Sequence, residues 1–109
     1  MSRLVVLWTR PHHLSATEAD AWVRGQLDRL RAVEGLQHAR LSPLRTASLN
    51  DPREWDWMLE LHPAEGTSAI ACTDSQVWRE WLGDLRLLGM RPTVLLADTP
   101  SVVEGQDPA

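Results

Sequence analysis

Five apolar residues in succession, Leu4-Val5-Val6-Leu7-Trp8, open the hydrophobic pattern of the chain and predict a β-strand. An amphipathic stretch follows from Ala16 to about Glu34. Its Ala19, Trp22, Val23, Leu27, Leu30 and Val33 recur at three- and four-residue spacing, which makes one buried stripe on a helix. Ser15 and Glu18 form an S-x-x-E capping box at its start, and Gly35 stands where a helix-ending glycine belongs. Two strand-like segments come next, Leu36 to Leu44 and Trp55 to His62. In the latter Trp57, Leu59 and Leu61 point one way while Asp56, Met58, Glu60 and His62 point the other. Ser68 to Cys72 has the composition of a short preliminary helical turn. A second amphipathic stretch, Thr73 to Leu88, carries Val77, Trp78, Trp81, Leu82, Leu85 and Leu88. Thr73 with Gln76 is its candidate capping box, and Gly89 and Pro92 end it. Thr93-Val94-Leu95-Leu96-Ala97 is the last strand.

The order β-α-β-β-α-β is that of an α+β, ferredoxin-like fold: a four-stranded antiparallel sheet with two helices on one face. Nothing in the chain is left to cover the other face. The first and last strands are nonetheless apolar throughout, as strands buried on both faces are. A second copy of the same sheet is the economical cover, so a homodimer is expected. Residues 1–98 make one domain, and residues 99–109, rich in Pro, Gly and acidic side chains, make a C-terminal tail.

Composition narrows the function classes. The net charge of −4, with mixed-sign helix faces and no Lys, speaks against a nucleic-acid partner. Apolar runs of about five to eight residues fall far short of the roughly 20 that span a bilayer, so no membrane partner is expected. The chain enters a strand at once without a leader-like apolar region, and its lone Cys72 cannot form an internal disulfide; a cytoplasmic setting is expected. Six Trp accompany no Tyr and no Phe, which excludes tyrosine-based acid–base chemistry.

Four histidines carry the candidate chemistry. His62 ends the third strand with Glu60 on the same face, and the predicted hairpin sets His38 across from them. If the register lets these side chains share a face, a carboxylate and two histidines converge as a minimal general-base arrangement. The competing reading is a polar cluster serving a dimer interface. Two His and one Glu are also a ligand set for a divalent metal, but the expectation is a metal-free site. A one-residue slip in register would point His38 away. His12 and His13 follow the first strand at the opposite end of the sheet, ~20 Å away at 3.3 Å per residue. They are either a gate at a cleft mouth or plain loop histidines. Arg10 could fix an acidic group of a ligand or pair with Asp56. Trp8, Trp22, Trp57, Trp78 and Trp81 could line a pocket for a flat apolar ligand, or simply form core. Phosphate-binding glycine loops, G-x-S-x-G and H-E-x-x-H are absent.

The element order, the short connections, and Leu4-Val5-Val6-Leu7-Trp8-Thr9-Arg10-Pro11 followed by Leu14-Ser15-x-x-Glu18 resemble the dimeric α+β barrel superfamily. Within it the chain looks most like small EthD-type proteins, whose first strand commonly ends in a basic residue and enters a helix bearing a buried aromatic, here Trp22. The resemblance implies two sheets facing each other across a two-fold axis, helices outside, and a small-molecule cleft between sheet and helices in each subunit. Superfamily members include cofactor-free monooxygenases of aromatic polyketides, polyketide cyclases, muconolactone isomerase-like enzymes and heme-handling proteins. EthD-type proteins often carry a His four residues after the helix aromatic. Here that position is Gln26, which can bind a ligand but cannot act as a general base.

The expected function is a small-molecule-binding protein, or an enzyme without an organic cofactor, acting on a compact hydrophobic or aromatic substrate. His62, Glu60 and His38 are the candidate catalytic residues; Trp8, Arg10, His12, His13, Trp22, Gln26, Trp57 and Trp78 are the candidate ligand contacts. The contrasting expectation is a non-enzymatic homodimeric assembly or regulatory module. An enzyme predicts an enclosed cleft between the Trp57 face and the helices, whereas an interaction module predicts that this space is filled.

Overall fold

The capping box forms as the sequence predicts. The Glu18 N–H donates to Ser15 Oγ and the Ser15 N–H to Glu18 Oε1, each at 3.1 Å. These bonds, the one with the Ser15 backbone first, hold the Glu18 carboxyl below its ordinary pKa. The computed structural model, which describes residues 2–46, 50 and 55–106, contains β1 (Arg3–Trp8), α1 (Ala16–Gln26), β2 (Leu36–Pro43), β3 (Trp57–Pro63), α2 (Gln76–Leu87) and β4 (Thr93–Ala97). Residues 1 and 107–109 of the expected domain and tail lie outside the described residues.

Two local expectations are corrected. First, α-helical geometry does not run to Glu34. It stops at Gln26, one residue past Gly25, and Leu27–Ala32 continues as a 3₁₀ segment. Three residues per turn line up Leu27, Leu30 and Val33 against the core, and Leu30 and Val33 are fully buried. Arg29 Nη1 ties this segment down, donating to Gln26 Oε1 (2.9 Å) and to Asp84 Oδ2 on α2 (2.6 Å). Second, the Thr73/Gln76 capping box does not form. Ile70–Asp74 is a 3₁₀ turn, Thr73 Oγ1 donates to the Ile70 carbonyl (2.6 Å), and α2 starts after Ser75.

The sheet order is β2-β3-β1-β4, antiparallel throughout. Leu4, Val6 and Trp8 of β1 and Trp57, Leu59 and Leu61 of β3 are buried beneath the helices. There they meet Ala19, Val23, Trp78, Trp81 and Leu85. This is an α+β, ferredoxin-like four-stranded antiparallel sheet with both helices on one face. Direct cross-strand partners share a face, so Arg3, Val5, Leu7, Met58, Glu60, His62 and Leu95 stand on the other side. The edge strand β4 was expected to be covered on both faces; within one chain it is open on both. Val94, Leu95 and Leu96 are 37%, 48% and 44% exposed. Among the described residues no helix is long and apolar enough to cross a membrane.

Candidate functional site

A β-bulge decides whether the histidines meet. Leu36 pairs with Pro63, but His38 pairs with His62, so Gln37 is an extra residue on β2. Beyond the bulge Arg40 lies opposite Glu60. His38, Arg40, Glu60 and His62 therefore share the open face with Arg3. The His38 and His62 rings stack, with centroids 4.3 Å apart and planes within 13°. Glu60 Oε2 accepts from Arg3 Nε at 3.1 Å and lies 3.7 Å from His62 Nε2, too far for a hydrogen bond. His62 Nε2 is buried with no hydrogen-bond partner.

The electrostatics of this cluster favour a neutral His62. Burial pushes its pKa below the ordinary histidine value, and the neighbouring His38 adds to that effect. Glu60 opposes the shift, while Arg3 and Arg40 reinforce it. The sign for stability follows. Below about pH 6.5 the unfolded chain binds a proton at His62 that the folded chain resists, so stability falls as pH drops from 7.5 through that range. Urea midpoints at pH 7.5 and 5.5 measure this loss, and it shrinks in His62→Gln. An unchanged slope in that variant would discount the His62 contribution.

His38 also belongs to a recess of ≈490 Å³ beside β2. Leu27, Leu30, Leu36, Ala39 and Leu41 supply its apolar floor, and Asp28, Arg31, Gln37 and His38 its polar edge. The volume lies within the range of small-ligand sites. It lies between the 3₁₀ segment and β2, the free edge of the sheet.

The remaining predicted contacts are dispersed. Trp8, Trp57 and Trp78 are buried, and none of them lines either recess. Trp8 stacks on Trp57 (6.1 Å) and meets Trp81 edge-on (5.7 Å), and Trp81 stacks on Trp78 (5.8 Å). Among the described residues, packed aromatic rings stand where a cleft against the Trp57 face was expected. Trp22 is half-buried against that core, and Gln26 accepts from Arg29. Arg10, His12 and His13 gather at the far end of the sheet, lining a second recess of ≈380 Å³ with Thr9, Pro11, Gly89 and Arg91. Arg10 meets Asp56 through its backbone N–H, while its guanidinium donates to the Leu14 carbonyl at 3.0 Å. Among the described residues no group of three or more His, Cys, Asp or Glu could hold a metal ion.

Sequence reasoning missed Arg3 and Arg91. Arg3 had a signal, since it shares alternation parity with Val5 and Leu7 at the start of β1. Arg91 had none, because its position depends on a backbone conformation unusual for arginine.

No sequence-family model matches the chain, and no curated protein matches it in sequence. Solved structures do match. An EthD (ethyl tert-butyl ether D) family protein from Bacillus halodurans aligns with a TM-score of 0.72 at 14% identity, over 92% of this chain and 99% of its own. The ferredoxin-like fold of this chain is thus shared with an EthD family protein. A dimeric ferredoxin-like protein of unknown function from Thermobifida fusca aligns with a TM-score of 0.64 at 12% identity, over 87% of each chain. SnoaB, a cofactor-independent oxygenase from Streptomyces nogalater, aligns at 0.64 and 10% identity, over 95% of this chain and 97% of its own. At these identities the shared property is the course of the backbone.

Proposed function

We propose that this protein is a homodimeric small-molecule-binding enzyme of the α+β barrel type, acting on a compact hydrophobic or aromatic substrate without an organic cofactor. One observation carries the reading: His38 lines the apolar recess beside β2 and stacks on His62, with Glu60 next in line. A substrate seated on Leu27, Leu36 and Leu41 has a histidine, His38, at its edge, with the Asp28 carboxylate on the same rim. His38 is the acid–base group that touches it. His62 and Glu60 are positioning residues: the first stacks against the His38 ring, and the second places a negative charge behind both. Two copies closing over the open sheet face shut this cluster away from bulk water. A protein called dimeric and a cofactor-independent oxygenase among the structural neighbours support the assembly and the chemistry. The buried free thiol of Cys72, whose pKa burial raises, suits a reducing, cytoplasmic setting.

The alternative, a non-enzymatic assembly or regulatory module, is favoured by the solid tryptophan core and by the Arg3–Glu60 ion pair standing on the open face. Calorimetric titration with 2-naphthol separates the two. On the enzyme reading the native chain binds the probe. Leu41→Trp, which fills the recess from β2, weakens binding by at least about tenfold, or 1.4 kcal/mol. His38→Ala leaves binding within about threefold, because the apolar floor is intact. Absence of probe binding, with a His38→Ala chain that dimerises less tightly, would support the module instead.

A further inference from the structure

We propose that the second recess, between the β1–α1 loop and the turn after α2, binds a small oxyanion: the carboxylate or phosphate head of a soluble metabolite. The site is separate from the recess beside β2, and the inference depends neither on that reading nor on dimerisation.

The lining is the first ground. Arg10, Arg91, His12, His13 and Thr9 supply polar groups, and among the described residues no carboxylate lines the recess. Elsewhere Arg3, Arg24, Arg29 and Arg31 each pair with a carboxylate. The nearest acids are already engaged: Asp56 accepts from the Arg10 backbone, and Glu18, close enough to His13 to feel its charge, closes the Ser15 capping box. One Nη1 bond to the Leu14 carbonyl steadies the Arg10 guanidinium and leaves its other N–H groups for a ligand.

The backbone is the second ground. Arg91 has φ 46°, the one non-glycine positive φ among the described residues. Glycine fits this left-handed region without strain, while a long side chain pays for it in backbone strain. Arginine held there forms part of the recess wall. Gly89, at φ 91°, completes the turn. A Cβ at Gly89 would lie 3.6 Å from Pro11 Cβ and 3.8 Å from His13 Cε1, so the two loops are in contact and Arg91 is brought to Arg10. Two arginines lining ≈380 Å³ suit a ligand with at least two acceptor oxygens on one head.

Arg91→Gly tests this cleanly, because glycine is the residue that φ favours. Native chain and variant are titrated calorimetrically with inorganic phosphate and with malonate at constant ionic strength. Native binding by either anion, weakened by at least about tenfold in Arg91→Gly with an undiminished melting temperature, is the expected result. Binding of phosphate alone, malonate alone or both identifies the preferred head group. Arg86→Ala, on the exposed last turn of α2 and outside the recess, retains native affinity. Failure of both anions to bind the native chain would overturn the proposal. So would native-like affinity in Arg91→Gly, or equal losses in Arg91→Gly and Arg86→Ala, which would mark diffuse surface attraction.

Discussion

Replacing Trp81 with alanine is expected to cost about 3–5 kcal/mol, a large part of the roughly 5–15 kcal/mol that holds a domain of this size folded. Trp81 sits where α2 meets the sheet, edge-on to Trp8 and stacked on Trp78, and all three rings are buried. Truncation removes one member from a cluster whose other rings cannot collapse together, because Trp8 is fixed in β1 and Trp78 in α2. Among the described residues the indole N–H groups of Trp8 and Trp81 have no hydrogen-bond partner. Trp81→Phe therefore loses volume without orphaning an acceptor, and its cost should be well below that of alanine. Urea denaturation followed by circular dichroism measures both. A loss under about 1 kcal/mol for Trp81→Ala would mean that the four-tryptophan core does not organise the fold.

The second large effect concerns assembly. Leu95→Asp is expected to convert the proposed dimer to single chains, raising its dissociation constant at least about 100-fold, or 2.7 kcal/mol. Leu95 lies on the open face beside Val5 and is half-exposed in one chain, so a carboxylate there is hydrated in the monomer and stranded in the dimer. Neighbouring Val5, Leu7 and Met58 make this the apolar part of the face, while Arg3, Glu60 and His62 make its polar end. Sedimentation equilibrium at micromolar concentration should show twice the 12.3 kDa chain mass for the native protein and one chain mass for the variant. A native protein that sediments as a lone chain would remove the dimer from the proposal. A variant that stays paired would move the interface elsewhere.

Much of the candidate site was visible as residues but not as an arrangement. Alternation along β3 placed Glu60 and His62 together on the face opposite Trp57, and the structure shows that alternation. Their relation to His38 was undecidable from the pattern, since a one-residue change in pairing reverses every side chain on β2. Gln37 supplies that one residue. The apolar tryptophan stripes were equally legible, yet a stripe does not say whether the rings facing it leave a gap. Here they close on one another, and the open space lies instead beside β2, where Leu27–Ala32 narrows from α-helix to 3₁₀.

The amino-acid order alone determined the succession of strands and helices, the capping box at Ser15, the inward faces of β3, α1 and α2, and the bare second face of the sheet. These depend on period, caps and breakers, all set by neighbours within a turn or a strand. The tertiary structure decided three further points: the stacking of His38 on His62, the packing of the tryptophan rings on one another, and the placing of Arg10 and Arg91 around one recess. Each joins residues distant in the chain. Such contacts are selected by whole-core packing and by backbone conformations, such as the left-handed Arg91, that the energetics of the complete fold can impose against local preference.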